Sequence, residues 1–229
     1  MSSTNRRLAV TALVAVLSLP PCLAASFQTI DPRIVVVYVP MTIPLGSDGN
    51  PAGGPPLLTY MLGAGSSLDL GGGFTFEPAL GFFSSIDLWD SYNLTVLPTE
   101  QSWRTSYTMN FLLQLPFAFT LRFAGSWSAA LSLGPAFDFR VGILDVGPSD
   151  VASASPDMPL INAWFWQQGR WLMPESAIRV GYRLTDRVEF AFSALAFWPI
   201  YNLWLSPKPA FGLDGGIFGG ELLVKAKLR

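Results

Sequence analysis

A chain of 229 residues suits one domain of moderate size or two small ones. Half of its residues are apolar and only 13% are charged, too few charges to cover a soluble globule, while 14% aromatics exclude a disordered chain. A net charge of −2 gives no basic footprint for nucleic acid, and the absence of histidine removes the commonest acid–base and metal-ligand side chain.

Arg6 and Arg7 precede an unbroken apolar run from Leu8 to Leu19, followed by Pro20, Pro21 and the small residues Ala24 and Ala25. That order is the plan of a secretory signal peptide, and the run is too short to span a bilayer as a helix. Residues 1–24 therefore read as a cleaved signal and 25–229 as the mature chain. The rival is a lipoprotein signal that lipidates Cys22, for which Pro21 is a poor neighbour because such sites carry a small residue there. Cleavage at Ala24 removes the sole cysteine and leaves 12 basic residues against 16 acidic, a net charge of −4.

From there the chain alternates with period two, the mark of a strand whose faces meet different surroundings. Eight segments carry it, near 33–44, 57–70, 73–89, 103–118, 127–143, 168–184, 187–202 and 210–228. In the fourth, one parity reads Trp103, Thr105, Tyr107, Met109, Phe111, Leu113, Leu115, Phe117, and the other Arg104, Ser106, Thr108, Asn110, Leu112, Gln114, Pro116. The fifth sets Leu131, Leu133, Phe137 and Phe139 against Ser132, Gly134, Asp138 and Arg140. The first segment is apolar on both faces, and the glycine pairs 215–216 and 219–220 of the last offer a place for a bulge. Connectors alternate between short ones (Gly71-Gly72, the stretch around Arg122–Gly125, Thr185-Asp186) and longer polar ones near 45–56, 90–102, 144–167 and 203–209. Three short turns on one side and four loops on the other are what eight strands need when both ends lie on the short-turn side.

Runs this long, with apolar residues on one parity and small or polar ones on the other, fit tilted transmembrane strands. Two charge-free stretches, Phe190–Pro207 and Thr105–Leu121, offer a helical alternative, but the first holds Pro199 and the second has period two. A soluble sandwich would scatter charges over its outer face. Here Glu77, Arg104, Asp138, Arg140, Arg179, Arg183 and Glu189 fall opposite the Phe/Leu/Val/Tyr set. The fold class is all-β: an eight-stranded antiparallel transmembrane β-barrel without internal domain boundary.

The mature chain resembles, in pattern, the small eight-stranded outer-membrane barrels of bacteria, the OmpA, OmpX and OmpW type. The nearest local match is Gly181-Tyr182-Arg183-Leu184-Thr185-Asp186-Arg187, which looks like a periplasmic turn of such barrels. The resemblance implies a bacterial outer-membrane location with both termini periplasmic, a monomer, and outer-membrane lipids and the barrel-assembly machinery as partners. Family members usually end on an aromatic residue, whereas this chain ends Lys225-Ala226-Lys227-Leu228-Arg229. Resemblance to the OmpW type implies a narrow or gated channel for small or hydrophobic solutes. Pro78, Pro116, Pro135 and Pro174, which remove ladder donors, could open its wall sideways. The alternative is a structural or surface-interaction barrel with a closed lumen.

An eight-stranded interior is just wide enough for side chains, and charges inside it must pair. Glu77, Arg183 and Glu189 are expected near the inner end, and Asp138, Arg140, Glu175 and Arg179 nearer the middle and upper part. They form a salt-bridged plug or, alternatively, a gate. Most tryptophans lie beside the long loops, as in an interfacial girdle, and Trp171 is the exception with inward parity at the mouth. Asp48, Asp90, Glu100, Asp145, Asp150 and Asp157 against Lys208 make the long loops acidic, and the third loop begins in a low-complexity stretch that reads as mobile. No cofactor and no metal site is expected. Catalysis is not expected either, since the barrel enzymes of this size rely on a histidine.

Overall fold

The computed structural model describes residues 28–40, 42–44, 51–53, 57–90, 94–98, 105–123, 125–146, 157–204 and 215–228. The signal segment with Cys22, the start of the third loop, Trp103, Arg104, Asp48, Glu100, Asp150 and Lys208 lie outside them.

Alternation builds eight long strands. They are β1 (Thr29–Val39), β2 (Leu57–Gly65, continued by Leu68–Gly71), β3 (Phe74–Phe76 and Ala79–Asp90), β4 (Thr105–Gln114 and Phe117–Arg122), β5 (Trp127–Gly134 and Ala136–Val146), β6 (Glu175–Arg183), β7 (Val188–Phe197) and β8 (Ile217–Lys227). Each pairs antiparallel with the next, and β8 returns to β1, with Thr29 opposite Lys227 and Tyr38 opposite Phe218. All eight ladders close, so along their paired lengths the main-chain polar groups are satisfied within the wall, as a membrane-spanning sheet requires. No described helix is long and apolar enough to cross a membrane. The strands make the crossing. Burial alternates strictly along β1, and the outward parity exposes Leu58, Tyr60, Leu62, Leu131, Ile178, Val180, Phe192 and Leu222. An apolar belt continuous around the wall belongs against hydrocarbon.

The short turns form the inner end, together with both ends of the described chain. At Gly72 and Gly73 φ is +63° and +85°, a tight hairpin conformation that side chains resist. The β6–β7 turn is held by Thr185, whose Oγ1 accepts the N–H groups of Arg187 and Val188.

Four prolines interrupt neighbouring strands along one diagonal line, and the wall stays closed across it. The Pro78 carbonyl accepts the Ser66 N–H, Pro116 that of Glu77, Pro135 that of Leu115, and Pro174 that of Trp198, at 2.8–3.0 Å. Three of these bonds join the breaks of β2 to β3, β3 to β4 and β4 to β5, the fourth ties Pro174, just before β6, to the end of β7, and no sideways opening results. The glycine-rich segment of β8 holds no bulge: its register with β1 and β7 is continuous. Gly219 is there for close approach, since a Cβ would meet the Val36 carbonyl oxygen at 2.5 Å. The shift in register falls instead between Gly142 and Leu144 of β5.

The 168–184 segment is a strand only from Glu175, because Pro174 has no N–H and residues 168–171 turn back. Within 144–167 the chain forms a helix, α1 (Asp157–Trp166), where a loop was expected. Ile161 and Phe165, one turn apart, are both buried against Val96. This helix lies against the inward face of outer β5.

Candidate functional site

The lumen is filled in layers, each set by consecutive inward positions. Nearest the inner end is an ionic layer. Glu77 on β3 binds Arg179 Nη1 on β6 at 2.7 Å and Lys225 Nζ on β8 at 2.6 Å. Arg33 on β1 pairs with Glu221 on β8 and donates to the side-chain amide oxygen (Oε1) of Gln114 on β4, both at 3.1 Å. Ser193 joins the two groups, donating to Glu221 at 2.8 Å and accepting from Arg179 Nε at 3.3 Å. All of these but Lys225 are almost wholly buried, so their charges persist through pairing.

Farther along the same strands the inward residues turn apolar, apart from the buried Glu175 opposite Phe197. Val35, Val37, Met61, Leu112 and Met173 have no exposed surface, and Phe83, Leu195, Phe197 and Ile217 pack with them. This plug separates two cavities. Below the ionic layer is an inner vestibule of about 640 Å³, and beyond the plug is a chamber of about 40 Å³.

The chamber is lined by Ser85, Asp87, Asn110, Asp138 and Arg140 and roofed by Trp164 and Phe165 of α1. Ser85 donates to Asp87 at 2.8 Å and accepts from Asn110 at 3.3 Å. Arg140 pairs with Asp138 at 3.1 Å, donates to the Arg170 carbonyl at 3.0 Å and lies 4.7 Å beneath the Phe165 ring.

The roof is latched to an edge. Because β6 starts opposite Gly134, the outer section of β5 has β4 on one side and no strand on the other. Trp171 and Met173 bond its main chain at Asp138 and Ala136. Farther out the Asn162 amide accepts the Gly142 N–H at 2.8 Å and donates to the Gly142 carbonyl at 3.2 Å. A side-chain amide thereby stands in for a strand peptide. Arg170 closes the helix end, stacking 4.2 Å over Trp164 and donating to the Trp164 and Gln167 carbonyls. Burial pushes its guanidinium down to about 10, and it stays charged at neutral pH.

Of the inward residues singled out in the sequence, Glu77 meets Arg179 and Asp138 meets Arg140. Glu175 is buried without an ion pair among the described residues, and its Oε2 has no hydrogen-bond partner. Arg183 and Glu189 are register partners but do not join; Glu189 accepts from Ser128 at 3.1 Å, beside Gly181, whose missing Cβ leaves the room. Trp171 is not in the mouth. It stacks on the outward Phe137 at 6.0 Å, because the turn before Pro174 breaks the alternation on which its inward parity was counted. Sequence reasoning missed Arg33, Asp87, Glu221 and Lys225. Parity would have found Arg33 and Glu221, each two positions from an inward valine or leucine.

No family model matches the chain, and no curated protein matches it. Among solved structures it is similar to Neisserial surface protein A (NspA), at 6% identity and a TM-score of 0.48, over 88% of this chain and 97% of that one. It is also similar to the N-terminal β-barrel domain of Pseudomonas aeruginosa OprF, at 12% identity and a TM-score of 0.40, over 88% and 99%. A third similarity is to the outer membrane enzyme PagL, at 12% identity and a TM-score of 0.38, over 86% and 99%.

Proposed function

We propose that this protein is a monomeric structural and surface-presenting barrel of a bacterial outer membrane, with its termini periplasmic, its lumen closed and its work done at the outer end. One observation carries the reading: fully buried apolar side chains fill the barrel between the inner vestibule and the outer chamber. Ions crossing that layer would shed their hydration against Val35, Met61 and Leu112, a prohibitive desolvation. A single chain completes every ladder, so no second copy is needed to close the wall. The outer chamber, its roof and the acidic outer connections are the surface such a barrel offers. Lipids of the outer membrane surround the apolar belt, and delivery there falls to the barrel-assembly machinery.

The pair of cavities on one axis favours a second reading, a gated path for small hydrophobic solutes in which α1 and the apolar plug both move aside. Planar-bilayer recording of the refolded mature chain separates the two. The closed barrel shows no steady conductance, with or without an added apolar solute. A stable pore in the unmodified protein overturns closure, and conductance or uptake that appears only with solute establishes the gated path.

A further inference from the structure

We infer that the inner vestibule is a binding site for a phosphate-bearing anion. Its basic residues come from separate elements: Arg183, half-buried at the end of β6, and at the exposed rim Arg122 at the end of β4, Arg187 in the β6–β7 turn and Lys227 at the end of β8. None of these four side chains has a carboxylate at ion-pair distance among the described residues.

The carboxylates of the same cavity are engaged or turned to solvent. Glu77, at its floor, already carries Arg179 and Lys225. Glu189 accepts from Ser128 Oγ, and Asp69 accepts the Gly71 N–H at 2.8 Å. Asp186 is exposed in the turn. Guanidinium groups without an ion pair on β4, on β6 and in the β6–β7 turn, lining one cavity with a lysine of β8, present forked donors to one compact anion. A carboxylate uses only part of that set. A phosphate, with up to two charges and three free oxygens, uses more of it. At about 640 Å³ the vestibule holds the phosphate together with a small polar body, within the usual size of a ligand cleft.

The ionic layer closes the far side, so a ligand enters and leaves by the inner mouth alone. That mouth meets both the inner compartment and the inner leaflet, and the phosphate can belong to a soluble ester or to a lipid headgroup. Binding in either case weakens with salt, since the mouth is open to water.

The test uses the full mature barrel refolded in an uncharged detergent and titrated calorimetrically with inorganic phosphate and glycerol 3-phosphate at low and physiological salt. Saturable binding is expected, with the affinity falling at least tenfold in Arg183→Gln/Arg187→Gln and in Arg122→Gln. Each variant is first shown to be folded by its heat-modifiable mobility. A parallel arm measures unfolding in nanodiscs of phosphatidylcholine with and without phosphatidic acid. Stabilisation by phosphatidic acid that the arginine variants lose, without binding of the soluble probes, assigns the site to a lipid headgroup. Absence of both effects, or binding that the arginine variants retain in full, overturns the inference.

Discussion

Glu77→Ala tests the ionic layer where it is most concentrated, because one carboxylate there holds β3 to both β6 and β8. The change leaves two cations behind, and they differ. Lys225, with 16% of its side chain exposed, borders the vestibule and regains water; Arg179, at 8%, keeps no ion pair among the described residues and a hydrogen bond to Ser193 at 3.3 Å. Breaking a buried pair costs about 3–5 kcal/mol, and with Lys225 rehydrated the loss should lie near the lower end, about 3 kcal/mol. Reversible urea unfolding in lipid vesicles, followed by tryptophan fluorescence, measures it. Adding Arg179→Met should return about 1–2 kcal/mol, because it removes the stranded charge. Conductance should stay at zero throughout, since the apolar plug lies beyond the ionic layer. A loss under about 1 kcal/mol, or strictly additive losses in the double variant, would refute the assignment of this pairing.

Leu131→Arg, half exposed on the outward face and opposite Ile178, should destabilise by about 2–4 kcal/mol in the same assay. Thr108→Arg should cost at least as much although it points inward, because Thr108 is fully buried and the new charge would be buried with it; a mild effect would mean an open lumen. Asn162→Ala should speed hydrogen exchange of α1 and of the Gly142 amide while leaving β1 and β8 protected, and uniform protection would show that the latch does not hold the roof. Gly142→Ala should act similarly, since its Cβ would come within 3.3 Å of Met158 Cγ.

Parity made the wall legible. In β4 the outward set Tyr107, Met109, Phe111 and Leu113 is more exposed than Thr108, Asn110 and Leu112, as the alternation requires. What parity supplies is a face, not a position around or along the barrel. Glu77 and Arg179 are 102 residues apart and meet only through the stagger of the closed sheet, which no single strand encodes. The same limit made Glu175 a plausible partner of Arg179 and concealed Arg33 with Glu221. α1 escaped because Ile161 and Phe165 lie in the stretch near 144–167, whose Pro, Asp, Ser and Gly content reads as a polar loop. The misplaced Trp171 has the same origin: counting inward and outward positions beyond Pro174 presumes a strand that the proline ends.

The diagonal line of prolines has a further consequence for how the eight strands find their partners. Sliding one strand past its neighbour by a single residue exchanges lipid-facing and lumenal side chains, so hydrophobicity rejects every odd error. Sliding by two residues leaves the faces intact, and hydrophobicity is blind to it. The prolines are not. In the native alignment their missing N–H groups fall together where the ladders already pause, and each proline carbonyl is claimed by the break in the adjoining strand or, for Pro174, by the end of β7. A two-residue error would set a donorless nitrogen against a carbonyl within hydrocarbon, at a cost of several kcal/mol per unsatisfied group. Side-chain polarity thus proofreads odd misalignments of this wall, and Pro78, Pro116, Pro135 and Pro174 proofread the even ones.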